Sequence, residues 1–293
     1  MDDVISLCTS LLSVIETSFA LALASPRCEQ LLEAELLAAY EDLVDDGAVD
    51  EELLQTSTEM AIAAYVGGMV PPRCRAWSPR CRRDLQARSE QLLTDHSAGH
   101  EQRTDGWFEE RRGMITASGA SALVGTEARW RALVWEKAGP ASPCSGGGSI
   151  DSAAHWGQRY EPVAVMLYEA MSGVTVHDTG CVRHPEHQFI GASPDGVVPE
   201  AGGKLLEIKC VVSRVIDGVP TLAYWVQMQW QMACTGLKEV DFLECRFAEY
   251  ESEEAFRTDG GWGSTEKGVL HQFHGGEGAF YEYAPLGITE EGF

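Results

Sequence analysis

The sequence predicts an α/β fold, an α+β mixed sheet flanked by helices, with a helical extension at the N-terminus. Three observations carry this. The first hundred residues repeat apolar positions at helical spacing, as in "CEQLLEAELLAAYEDLV". The stretches "VTVHDTGCVRH", "FIGASPDGVV", "KLLEIKCVV" and "EVDFLECRF" alternate or run apolar as strands do. Two long helical patterns, "AAHWGQRYEPVAVMLYEAMSG" and "TLAYWVQMQWQMACTG", are interleaved with them, so the sheet is expected to be mixed and covered by helices.

Taken in order, residues 1–100 read as an acidic helical region. Within it "DDGAVDEELL" is a break followed by a helix start with carboxylates in its first turn. Three prolines in "MVPPRCRAWSP" end the helical pattern, and the boundary is placed at the low-apolar "LTDHSAGHEQRTDG". Residues 101–250 hold the sheet. There "WFEERRGMITASGASALVG" reads as a helix, a short turn and a second helix with a hydroxyl-rich start, and "CSGGGS" as a flexible loop. The first long helix ends at Gly173, and "PEAGG" turns one strand back on the next. Residues 251–293 are Gly-rich and acidic, and no fold is assigned to them.

A chain of 293 residues with 44% hydrophobic and 23% charged content can bury a full core. Its net charge of -23 is unevenly spread: residues 1–70 carry 14 acids and 1 base, whereas residues 71–140 carry 12 bases and 9 acids. Such a total argues against nonspecific coating of nucleic acid and leaves room for a local basic groove. Nine cysteines without a CxxC pair or regular spacing read as reduced intracellular thiols, neither a disulfide framework nor a zinc site. The apolar start follows Asp2 and Asp3, where a signal peptide would be basic, and is interrupted by Glu16. It reads as a buried amphipathic helix of a protein that is not secreted, and no uncharged apolar run of about 18 residues is present to span a bilayer.

The chemistry concentrates in "FIGASPDGVVPEAGGKLLEIKCVV". Side chains at i and i+2 of a strand share a face, so Glu207 and Lys209 point one way and Leu206, Ile208 and Cys210 the other. The turn at Pro199–Gly203 can bring Asp195 beside Glu207. Two carboxylates and an ammonium in an apolar surround require compensation. Asp195, Glu207 and the backbone carbonyl of Ile208 offer hard oxygens suited to Mg2+, and Lys209 would orient or activate a nucleophile, which together amount to phosphodiester hydrolysis. An acid-x-lysine pair on a solvated strand is the plain alternative.

Asp195 followed by Glu207-x-Lys209 resembles the PD-(D/E)XK nuclease signature, on a restriction-endonuclease-like core. Four ordered blocks, "WFEERRGMITAS", "WGQRYE", "SPDG…LEIKC" and "YWVQMQWQM", resemble the YqaJ viral recombinase branch, the phage lambda exonuclease family, in the form found in large DNA viruses of eukaryotes. The resemblance implies a Mg2+-dependent deoxyribonuclease, with Mn2+ able to substitute, that resects duplex DNA from a 5′ end. Asp195 and Glu207 correspond to its metal-binding carboxylates, Lys209 to its catalytic lysine, and Glu161 to the acid supporting the metal site, unless Glu161 is a solvent-facing helix residue. Arg111 and Ser118 correspond to residues holding a terminal 5′ phosphate. Arg112 is the adjacent alternative, and pairing of both arginines with Glu109 and Glu110 is the structural one. Gln227 aligns with the family's active-site glutamine, and Tyr224, one turn earlier on the same helix face, is counted with the residues that bind the 5′ phosphate, whereas Gln229 and Gln231 are offset. Thr116 either assists or caps. His155, His184 and His187 are set aside as ligands because a carboxylate site favours magnesium.

The implied partners are double-stranded DNA ends, a single-strand annealing or replication protein, and further copies of the chain in a trimer. The acidic first 70 residues and the tail have no counterpart in the compact phage enzyme. Two competing readings are a structure-specific endonuclease of the same superfamily and a non-catalytic DNA-end-binding adaptor, whose expected mark, loss of a carboxylate or of the lysine, is missing. An iron–sulfur nuclease would need a close cysteine pair near the C-terminus, and Cys234 and Cys245 are eleven apart.

Overall fold

The computed structural model describes residues 2–18, 28–69, 78–96, 104–139, 152–263, 267–275 and 278–291. The "CSGGGS" loop, most of "MVPPRCRAWSP" and residues 97–103 of the expected boundary lie outside the described residues.

The N-terminal region is helical, as its periodicity predicts: α1 (Asp2–Ser18), α2 (Cys28–Ala39), α3 (Glu41–Asp45) and α4 (Glu51–Met69). Leu11, Leu32, Leu36, Ala61 and Ile62 bury into a core of their own. Helix α5 (Pro79–His96) packs elsewhere, although the sequence reading grouped it with residues 1–100. Its Leu85 and Leu92 share a core with Val182, Val197, Leu205 and Leu237, and Arg88 Nε donates to the Thr235 carbonyl at 2.9 Å.

From Asp105 the chain builds the platform of the site. Helix α6 (Asp105–Arg112) is capped by Thr104, whose hydroxyl accepts from the Trp107 amide. Strand β1 (Ile115–Thr116) then leads into the expected second helix, which is a 3-10 helix over Ala117–Val124. Helix α7 (Glu127–Ala138) follows, and then α8 (Ala153–Ser172), which ends on Gly173 at φ 69° as the sequence predicts.

The expected mixed sheet is present as two small sheets, because one extended run is broken. Strands β2 (Val182–Arg183) and β3 (Ile190–Ala192) join β1 in the order β1-β3-β2. Strands β4 (Gly196–Val198), β5 (Lys204–Cys210) and β6 (Val240–Cys245) form the second, with β4 antiparallel and β6 parallel to β5. Between β3 and β4 lies Ser193-Pro194-Asp195, and proline cannot donate to a ladder. The break releases Ser193 and Asp195 from strand pairing and makes their side chains available.

One face of β5 presents Leu206 and Ile208, packed with Ala164 of α8 and flanked by Val165 and Tyr168. The other presents Leu205, Glu207 and Lys209 toward α9 (Leu222–Thr235), which is capped by Thr221 and closed by Gly236. The turn Pro199–Gly203 carries two bonds from Gly202 and Gly203 to the Pro199 carbonyl, with Gly203 at φ 77°. A Cβ on Gly203 would stand 2.3 Å from the Leu85 carbonyl oxygen, so the glycine is what lets α5 lie against the hairpin.

The C-terminal segment is ordered into α10 (Glu253–Thr258) and an antiparallel hairpin, β7 (Leu270–Gly275) with β8 (Gly278–Tyr283). The hairpin docks on the first turns of α8: Tyr281 Oη meets His155 Nε2 at 2.5 Å and accepts from Arg159 Nε at 3.3 Å. Tyr283 donates to the Arg159 carbonyl at 2.7 Å.

Candidate active site

The hairpin delivers what its spacing promises. β4 ends at Gly196, paired with Leu206, so Ile208 has no strand partner on that side. Its amide donates instead to Asp195 Oδ2 at 2.7 Å. In a strand the N–H and C=O of one residue point the same way. The Ile208 carbonyl is therefore on the Asp195 side of the sheet.

Glu207 is fully buried, and both of its oxygens are engaged. Oε1 accepts from Lys209 Nζ and from Gln227 Nε2, the latter at 2.6 Å, and Oε2 accepts from Gln231 Nε2 at 2.5 Å. The sequence reading left Gln231 facing elsewhere. Its place was legible in the spacing, since residues i and i+4 of a helix share a face and Gln227 already pointed inward.

Charge at the centre is unbalanced. Asp195 is held well above the usual carboxylate range, first by burial and then by the negative charge of Glu207, with Glu161 adding to it; Lys209 opposes both. Burial pulls the Lys209 ammonium down, but Glu207 and Asp195 outweigh it and its pKa lies above the ordinary lysine value. Lys209 Nζ donates to Glu207 Oε1.

Two cavities meet at Asp195. The larger, about 380 Å³, is lined by Gln158, Glu161, Asp195, Ile208, Lys209 and Tyr224 among others. The smaller, about 160 Å³, is lined by Trp107, Arg111, Ala117, Ser118, Gln158, Ser193, Asp195 and Gln227. Asp195 and Gln158 belong to both, and Gln158 lies three residues before Glu161, on the same face of α8. Gln158 and Ser193 were not among the expected site residues. Both sit inside recognised blocks, "WGQRYE" and "SPDG", where the acidic members drew the attention.

Arg111 and Ser118 are brought together as expected. Arg111 lies 3.9 Å over the Trp107 ring, and its Nη1 donates to Ser193 Oγ at 2.8 Å. No carboxylate among the described residues pairs with it. Glu110 bonds Arg183 at 3.4 Å, and Glu109 takes Arg112 at 2.8 Å. Burial lowers the pKa of the Arg111 guanidinium, which nevertheless remains charged. Arg112 is not brought to the site. It points outward because adjacent helix residues diverge by about 100°. Tyr224 lines the larger cavity, with Lys209 Nζ 5.2 Å from its ring centroid, and does not line the Arg111 cavity. Thr116 makes no capping bond, and its hydroxyl lies 3.3 Å from that of Ser118. His155 is bound to Tyr281, and His184 and His187 stack on each other in the turn before β3.

The donor set fits a hard divalent cation. Mg2+ takes one or two carboxylates and keeps several waters. Asp195, Glu207 and the Ile208 carbonyl meet that need, and a cation there would relieve the repulsion that raises Asp195. Among the described residues no three His, Cys, Asp or Glu gather into a metal cage.

A lysine and two carboxylates thus stand together at the open end of a broken hairpin, under a glutamine-bearing helix. Residues 106–238 match the model of the YqaJ-like viral recombinase domain. The chain is 31% identical over 177 residues to an uncharacterized protein, R354, of Acanthamoeba polyphaga mimivirus, which covers 54% of this chain and 32% of that one. It thus spans about a third of the length of the curated relative. Solved structures similar to it include an alkaline exonuclease, LHK-Exo, of Laribacter hongkongensis, with a TM-score of 0.41, 26% identity, and coverage of 64% of this chain and 84% of that one. The same enzyme in complex with dAMP aligns with a TM-score of 0.40, 26% identity, and coverage of 62% and 83%.

Proposed function

We propose that this chain is a deoxyribonuclease that hydrolyses phosphodiester bonds of duplex DNA with a divalent cation, Mg2+ or in its place Mn2+, as a 5′-to-3′ exonuclease. The observation that carries the reading is the Arg111 guanidinium, bonded to Ser193 and to no carboxylate among the described residues, which lines a cavity that Asp195 also lines. An arginine without a carboxylate, stacked on an indole beside a serine hydroxyl, is a built receptor for a phosphate. A strand whose terminal 5′ phosphate lies there presents its next linkage to the acidic centre.

In this reading Asp195, Glu207 and the Ile208 carbonyl hold the cation, with Glu161 supporting them from α8. The cation, when bound, supplies Lewis acidity toward the phosphoryl oxygens and a more acidic water. Lys209 places its ammonium against the developing negative charge. Gln227 holds the Glu207 carboxylate through its hydrogen bond to Oε1, and Gln158 lines both cavities. Water oxygen bonds to phosphorus, the P–O3′ bond breaks, and the departing oxygen takes a proton. The product is a 5′ mononucleotide, and the complementary strand is left as a 3′ overhang for recombination. Polarity comes from the family resemblance together with the Arg111 cavity.

The same proposal covers an intracellular setting, assembly into a homo-oligomer, and a role for the acidic N-terminal helices in meeting a single-strand annealing or replication protein. Deleting residues 1–69 is expected to abolish capture of that partner; unchanged capture would refute this role.

Digestion of linear duplex DNA, with and without a 5′ phosphate, in Mg2+ or EDTA, tests the reaction. Metal-dependent release of mononucleotides, faster from phosphorylated ends, is expected. Cleavage of closed circles would make the protein an endonuclease, and end binding without cleavage an adaptor.

A further inference from the structure

Gln231 is fully buried, and its amide nitrogen is bonded to Glu207 Oε2 at 2.5 Å. Its own carbonyl oxygen is buried with no hydrogen-bond partner among the described residues. An amide kept out of water with half of its capacity unused is unfavourable, and a methionine of similar length would avoid that burden. The structure also anchors this residue. The Thr235 hydroxyl donates to the Gln231 carbonyl of the main chain at 2.9 Å and accepts from the Leu237 amide at 3.3 Å, where α9 closes on Gly236. Gln227 and Gln231 thus stand one turn apart on a tied-down helix and grip one oxygen each of the same carboxylate. Core filling accounts for the burial of Gln231, but not for an amide placed at bonding distance from the one acid that is wholly desolvated.

We infer that Gln231 is a positioning residue for the Glu207 carboxylate, holding it in the orientation in which, with Asp195, it receives the divalent cation. The inference rests on the proposed function. Loss of a bond to a ligand's outer side lowers metal affinity about 10- to 100-fold. The full chain carrying Gln231→Met should therefore bind Mn2+, followed by electron paramagnetic resonance of the free ion, at least about tenfold more weakly than wild type. Nuclease turnover at low Mg2+ should fall and recover as Mg2+ is raised, which loss of packing alone would not produce. Gln229→Met, at an exposed position of the same helix, should leave Mn2+ binding unchanged. If Gln231→Met does not fold, Gln231→Asn, which withdraws the amide by one methylene, takes its place under the same criterion. A folded variant binding Mn2+ within about twofold of wild type, well short of that range, would overturn the inference while leaving the reaction standing. A wild-type chain that takes up no Mn2+ would overturn the reaction, and the inference with it.

Discussion

Asp195 and Ile208 are joined by a side chain that takes the place of a strand: the Asp195 carboxylate accepts the Ile208 amide at 2.7 Å where β4 has ended. This fixes the acid at the edge of the sheet, next to Glu207, at an electrostatic disadvantage. Because its folded pKa is raised, the unfolded chain ionises first, from about pH 3.9 upward. In metal-free protein stability is then lost as pH rises from there through the folded value. Asp195→Asn keeps an oxygen for the Ile208 amide and removes the charge. In EDTA at pH 7 the variant should melt above wild type, with the two curves converging below about pH 3.9. Mg2+ should raise the wild-type melting temperature and leave the variant's unchanged.

Removing Lys209 or Glu207 should remove the chemistry with little change in fold. Lys209→Met and Glu207→Gln are each expected to slow mononucleotide release by about a hundredfold or more, as loss of a charge-stabilising group does. The raised Lys209 pKa favours the folded state below about pH 10.4, and this contribution disappears as pH rises through the folded value. An alkaline limb in the rate profile below that pH should therefore persist in Lys209→Arg.

Arg111 and Arg112 should separate cleanly. Arg111→Ala removes a charged donor worth roughly 1.5–3 kcal/mol, so the preference for 5′-phosphorylated ends should fall about 10- to 100-fold. Arg112→Ala loses one exposed ion pair with Glu109 and should keep that preference, with stability changed by about 1 kcal/mol at most. Competition between phosphorylated and dephosphorylated duplexes measures both.

Gly203→Ala tests the hairpin's seat. The added methyl meets the Leu85 backbone, and the residue sits at φ 77°, so neither atom can give way cheaply. A loss of about 1–3 kcal/mol is expected from the backbone strain alone, read by urea denaturation. The neighbouring Gly202→Ala carries similar backbone strain at φ 84° but meets only the flexible Arg82 side chain, so it should lose less.

Much of this site could be read from local pattern. The i, i+2 rule put Glu207 and Lys209 on one face of a strand, and the glycine turn put Asp195 within reach of them, because period and turn chemistry are short-range properties. The same locality explains both long helices and their caps at Thr221 and Gly173. What escaped was long-range. Gly203 against Leu85 places α5 with the sheet, and nothing in "RCRRDLQARSEQLL" alone signals that docking. Whether Arg111 or Arg112 met the cavity depended on which turn of α6 faces Ser193. The grip of Gln231 on Glu207 and the seating of Tyr281 on α8 join residues 24 and 126 positions apart.

By itself, then, the sequence determined that acid, acid and lysine stand at hairpin spacing in an apolar strand, the pattern on which the proposed chemistry rests. The tertiary structure alone decided which arginine is left without a carboxylate among the described residues, which glutamines hold the buried acid, and which residues two cavities share. Those are properties of packing, set by contacts between segments whose approach no local periodicity encodes.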